Sequence, residues 1–161
     1  MSPDPKALIA LELEQIALLV ASRRSLMERS LRDGPTIEEL DALAALLHSA
    51  YTAMERVMTH IAKHEGCYDS LHSKSYMWHG ALLQAMAARA AERPPIIGVG
   101  LCNQLKQYLG FRHVFRHAYL HELQWSKMKP LVEELTAVAR SFEEAIQDYC
   151  QRCWTKRLRR E

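Results

Sequence analysis

The chain lacks any apolar run of the ~18–20 residues that a membrane-spanning helix requires. It also lacks a signal-peptide layout, because "MSPDPKALIALELEQ" carries acids inside its first apolar stretch. Both absences point to a cytoplasmic chain with no membrane partner. No disulfide framework is visible in the four cysteines, Cys67, Cys102, Cys150 and Cys153, which fits a reducing compartment. "CQRC", with Cys150 and Cys153, has no second Cys-x-x-Cys to complete a zinc site, so it reads as ordinary helix cysteines before a metal or redox centre. Alternation of apolar and polar residues, the mark of a half-buried strand, is absent as well, as are internal repeats and low-complexity tracts. Net charge is only +2, so no whole-molecule basic field is at work.

What is present is helical periodicity. At 161 residues with 48% hydrophobic and 25% charged content, the chain is expected to form one soluble domain over residues 1–161. Ile9, Leu13, Ile16, Val20, Met27 and Leu31 predict a single long helix over 6–32, which "DGP" at 33–35 stops. Thr36 followed by Glu39 predicts a capping box, and Leu40 through Ile61 a second long helix toward His64. Gly66 opens a polar loop ending near Ser75. Trp78, Leu82 and Met86 mark a third helix, terminated by "RPP" at 93–95. A shorter piece over 99–109 is expected to be interrupted by Gly110, and Leu131 through Tyr149 carry the last helix. The expected class is all-α, a bundle of about five helices.

Charge is unevenly placed. From Gly98 to Lys129 the basic residues are Lys106, Arg112, Arg116, Lys127 and Lys129, and the only acid is Glu122. A local basic patch on a near-neutral chain suits an anionic ligand meeting one surface. The basic tail over 155–161 reads as a solvated end before it reads as a nucleic-acid contact. Inside the patch lies "FRHVFRHAYLH", residues 111–121, with two arginines, three histidines and a tyrosine. Treated as one helix, it puts Phe111, Phe115 and Ala118 on the core side, and Arg112, Arg116 and Tyr119 on a second stripe. His113 and His117 form a third stripe. A free histidine titrates near neutrality, and an arginine offers a fork matched to phosphate oxygens. Together they suit attack of a ribose 2′-hydroxyl on the adjacent phosphodiester, with His moving the proton and Arg holding the developing charge. Such chemistry asks for no metal cofactor, because the nucleophile belongs to the substrate. Arg112 and His117 nevertheless stand about 140° apart on an ideal helix. An irregular turn after Gly110, or a twofold dimer with a composite cleft, would reconcile them.

"RHVFRHAY", Arg112 to Tyr119, follows the pattern Arg, four residues, His, one residue, Tyr. It resembles the ribonuclease motif of the HEPN superfamily in its HepT-like toxin branch. The order of "YTAMERVMTHIAKH", "WHGALLQAM", "RPP" and "FRHVFRHAY" is similar to that of HepT-like proteins over most of the chain. The resemblance implies a metal-independent endoribonuclease toxin, a homodimer whose two motifs face one cleft, and Arg112 and His117 as the catalytic pair. It implies an auxiliary role for His113, and Arg116 is a candidate phosphate contact. It further implies a nucleotidyltransferase antitoxin of the MNT type that silences the toxin by adding AMP to Tyr119. A bulky, negative adduct there opposes RNA entry. Tyr119 also has a plain reading as a half-buried structural tyrosine. Glu55 and Arg56 are within conceivable reach of the cleft, with an ordinary interhelical role the simpler reading.

Two rival readings stand beside this one. His113, His117 and His121 at i, i+4 and i+8, with His60 and His64 repeating the spacing, suit a metal. No histidine here has a glutamate three positions before it, as a di-metal bundle requires. The other rival is a non-catalytic HEPN-like module that binds nucleotides or partner proteins.

Overall fold

The structure, a computed structural model, describes residues 3–90 and 93–154. The basic tail 155–161 lies outside the described residues. The described chain is all-helical, with seven α-helices: α1 (Pro5–Ser22), α2 (Arg24–Asp33), α3 (Ile37–His64), α4 (Tyr68–His72), α5 (Trp78–Ala87), α6 (Val99–His117) and α7 (Trp125–Tyr149). Short 3₁₀ turns at Ser75–Met77 and Leu120–Glu122 and a π-helical turn at Cys150–Trp154 complete it. The count exceeds the expected five because one predicted helix is two and a predicted loop holds another.

The expected 6–32 helix breaks at Arg23. Ser22 Oγ donates to Leu19 O at 2.8 Å, and the Arg23 N–H turns back to Val20 O at 3.2 Å, so the ladder tightens and stops. The apolar phase runs across the break, which is why spacing alone misses it. In the predicted polar loop, Gly66 at φ +74° reverses the chain, and α4 forms just beyond it. The helix α5 ends at Ala87, ahead of "RPP", and Ile96 and Ile97 donate back to Met86 O to seal its end.

Everything packs around α3. Its start is the predicted capping box, with Glu39 N–H donating to Thr36 Oγ1 at 3.1 Å and Thr36 N–H to Glu39 Oε2 at 3.3 Å. Leu43, Leu47, Met54, Val57, Met58 and Ile61 are buried along it, with α1, α5, α6 and α7 against its faces. An apolar side chain of this size contributes about 1.5–3 kcal/mol on full burial, so the α3 core dominates the fold. At the far end, the Tyr149 hydroxyl donates to Glu65, and Trp154 stacks on His64 with ring centroids 3.8 Å apart. These contacts tie the end of α7 to the end of α3. They also place Cys150 in the core and Cys153 half-buried, both as free thiols.

Two corrections bear on the motif. Helix α6 runs unbroken through Gly110, so no irregular turn precedes Arg112. The helix then stops at His117, with Ala118 extended at φ −90°, ψ 150°. The stop has a local cause. Glu122 Oε2 accepts from the Tyr119 N–H at 2.8 Å, which starts the next turn instead of prolonging the last.

Candidate active site

Arg112 sits in the penultimate turn of α6, and its side chain turns inward. Only 12% of it is exposed, and Nη2 lies 3.7 Å from Oε1 of Glu55 on α3. This is an ion-pair distance rather than a closed hydrogen bond. Its Nε is buried without a hydrogen-bond partner. Glu55 itself is 8% exposed, and its other oxygen, Oε2, lies 2.7 Å from Nδ1 of His79 on α5. Three helices thus supply one side chain each to a buried line, His79, Glu55, Arg112. Arg56, the neighbour of Glu55, faces away and pairs with Glu12 of α1 at 3.0 Å.

The α3 face beneath Arg112 is polar. His48, Tyr51, Thr52 and Glu55 follow at i, i+3, i+4 and i+7, so they share one stripe. His48 Nδ1, the Tyr51 hydroxyl and Thr52 Oγ1 are buried without hydrogen-bond partners. The His48 ring lies 4.9 Å from that of Phe115 on α6. Burial, then the charges of Arg112 and Arg116, lower the His48 pKa, so the ring is held toward its neutral form. Burial, with Glu55 nearby, pushes the Tyr51 hydroxyl well above its usual range and keeps it protonated.

The remaining motif residues face outward. His113 and His117 are exposed, with ring centroids 5.1 Å apart in an edge-on arrangement. Arg116 is exposed as well. Phe111 and Phe115 pack on the core as expected, their rings 6.0 Å apart. Arg112 does not join Arg116 and Tyr119 on a solvent stripe; it points to α3. On one unbroken helix, with Arg112 turned toward α3 and His117 exposed, the two side chains do not converge within one chain. Tyr119, beyond the helix end, is 73% exposed and stacks on His121 at 5.7 Å. It is a surface side chain, not one at the border of the core. With α6 ending at His117, His121 leaves the i, i+4, i+8 register, and the three histidines form no common stripe. Among the described residues no group of three or more His, Cys, Asp or Glu side chains is placed to hold a metal ion.

Sequence reasoning singled out Arg112 and His117 as candidates and named Glu55 in passing, with an interhelical role the simpler reading. It missed His48, Tyr51, Thr52 and His79. The signal for the first three was in the sequence, as a polar stripe at helical spacing in an otherwise Leu-, Ala- and Met-rich helix. Nothing in the sequence joins His79 to them, because that contact depends on how α5 packs.

A family model described as HepT-like protein matches residues 42–153, from the second turn of α3 to the turn after α7. No curated protein and no solved structure matches the chain.

Proposed function

The chain belongs to the HepT-like protein family, of the HEPN type, and from that premise we propose that it is an endoribonuclease needing no metal and acting as the toxin of a toxin–antitoxin pair. The observation that carries this reading is the contrast between the two motif residues. Arg112 is confined at the α3–α6 seam with its Nε unpartnered and its Nη2 in an open ion pair, and His117 stands open to solvent at the end of α6. A confined guanidinium suits a phosphate that must be held in one place. An exposed imidazole suits proton transfer to or from a substrate arriving from outside.

In the proposed reaction the ribose 2′-oxygen attacks phosphorus, and the bond from phosphorus to the 5′-oxygen breaks. His117 relays the proton between the 2′-hydroxyl and the leaving oxygen. Arg112 stabilises the charge building on the phosphoryl oxygens. The products are a 2′,3′-cyclic phosphate and a 5′-hydroxyl. Arg116, with His113 beside it, extends the cationic face along which RNA approaches. Because α6 is straight, the pair is completed across a homodimer, Arg112 of one protomer acting with His117 of its partner. The exposed Tyr119 is the proposed AMP acceptor for an MNT-type nucleotidyltransferase antitoxin. A phosphate adduct there places negative charge beside the cationic motif.

The test is RNA cleavage by purified protein in EDTA. Wild type is expected to cut and leave 2′,3′-cyclic ends, with Arg112→Ala and His117→Ala each slower by about 100-fold or more. Equal cutting by all three removes the motif from the mechanism. Absence of cutting, with no adduct on Tyr119 by intact mass, favours a non-catalytic binding module.

A further inference from the structure

We infer that Glu55 and His79 form a positioning pair for Arg112, a role that rests on the ribonuclease reading of the motif. Glu55 is a carboxylate set in the core-facing part of an apolar helix, among Met54, Val57 and Met58. Burying such a charge is costly, and an apolar residue of similar size fits the same helix more cheaply. Its two oxygens are divided between two helices, Oε2 to His79 Nδ1 at 2.7 Å and Oε1 toward Arg112 Nη2 at 3.7 Å.

That division has a mechanical consequence. A carboxylate alone with an arginine closes a bidentate pair and uses up the fork. Here His79 holds one oxygen back, so Glu55 aims the guanidinium without consuming it. Arg112 is left with an unpartnered Nε and an open ion pair. The His79 ring is in turn braced by Trp78, with centroids 4.2 Å apart, and Trp78 packs against His72 and Tyr68. Arg112 is thereby aimed by side chains that need not touch RNA. Removing His79 frees the second oxygen to capture the fork. Removing the Glu55 charge frees the guanidinium to swing.

The experiment uses the full-length protein in three variants, Glu55→Gln, His79→Ala and His79→Asn, the last keeping a donor near the Nδ1 position. Two readouts are taken, single-substrate RNA cleavage and the side-chain Nε–H resonance of Arg112, assigned by its loss in Arg112→Ala. Glu55→Gln and His79→Ala are expected to lower kcat about tenfold or more while KM stays within about threefold, the range seen when outer-shell supports of a catalytic group are removed. His79→Asn should recover most of the rate. The Arg112 resonance should shift in His79→Ala, because His79 acts on Arg112 through Glu55, and return in His79→Asn. Wild-type rates in Glu55→Gln, or an unmoved Arg112 resonance in His79→Ala, overturn the positioning role. A wild type that cuts no RNA counts against the ribonuclease reading instead, and the resonance still decides whether His79 governs Arg112.

Discussion

At the scale of single residues, burial separates side chains that look equivalent in the sequence. His48, His113 and His117 are all histidines near one cationic face, yet only His48 is inserted between helices, against Phe115. Its lowered pKa has burial as the first cause, then Arg112 and Arg116, opposed by Glu55 on its own helix. His60 is lowered in the same direction, by burial first, then Lys63 and Arg56, opposed by Glu12. In both cases the folded state binds its proton less readily than the unfolded chain. Above the unfolded value of about 6.5 neither state is protonated and nothing is lost. Below it the unfolded chain takes protons that the folded one refuses, so stability falls as pH drops through this window until the folded pKa is reached. Melting temperature is therefore expected to drop on acidification from near pH 7 toward pH 5. In His48→Gln that slope should flatten, with the His60 share remaining. An unchanged slope in His48→Gln means that His48 is not held neutral. At this scale the motif arginine and the polar stripe of α3 were legible, and the link through His79 was not, because it depends on the packing of three helices.

At the scale of elements, boundaries set by a few neighbouring residues were legible and those set by later contacts were not. The capping box at Thr36 needs only a hydroxyl and a glutamate three residues on, and α3 begins there. The end of α6 depends on a glutamate beyond the helix capturing the Tyr119 N–H, which no periodicity encodes. Gly110 is the plainest case. Its helix penalty of about 1 kcal/mol relative to Ala predicts a break, yet α6 passes through it. The turns on either side are anchored by Leu105 in the core, by the Tyr108 hydroxyl donating to Leu131 O at 2.7 Å, and by Phe111 against the core. Tertiary packing outweighs propensity there. An alanine Cβ at position 110 meets nothing within 4 Å, and the backbone has no positive φ. Gly110→Ala is therefore expected to stabilise the protein by roughly 0.5–1 kcal/mol, read as a higher urea midpoint. Destabilisation by that substitution means that α6 bends at Gly110 in solution, and the direction assigned to Arg112 falls with it.

At the scale of the whole molecule, a straight α6 turns the separation of Arg112 and His117 into a statement about assembly. Arg112 points into its own α3, and His117 points out from the end of the helix. If the active pair is split between protomers, each dimer holds two sites, and each site draws its arginine from one chain and its histidine from the other. Arg112→Ala and His117→Ala homodimers are then both inactive. A mixed dimer keeps one intact site, formed by Arg112 of the His117→Ala chain and His117 of the Arg112→Ala chain. Equal amounts of the two variants, unfolded together and refolded, give random pairing, and about a quarter of wild-type cleavage is expected to return. Mixing without subunit exchange should return none, which controls for contamination. If refolded mixtures stay inactive while light scattering shows dimers, both residues act within one chain. The C-terminal turns of α6 then rearrange when RNA binds, and the inward hold of Glu55 on Arg112 is the contact that has to give.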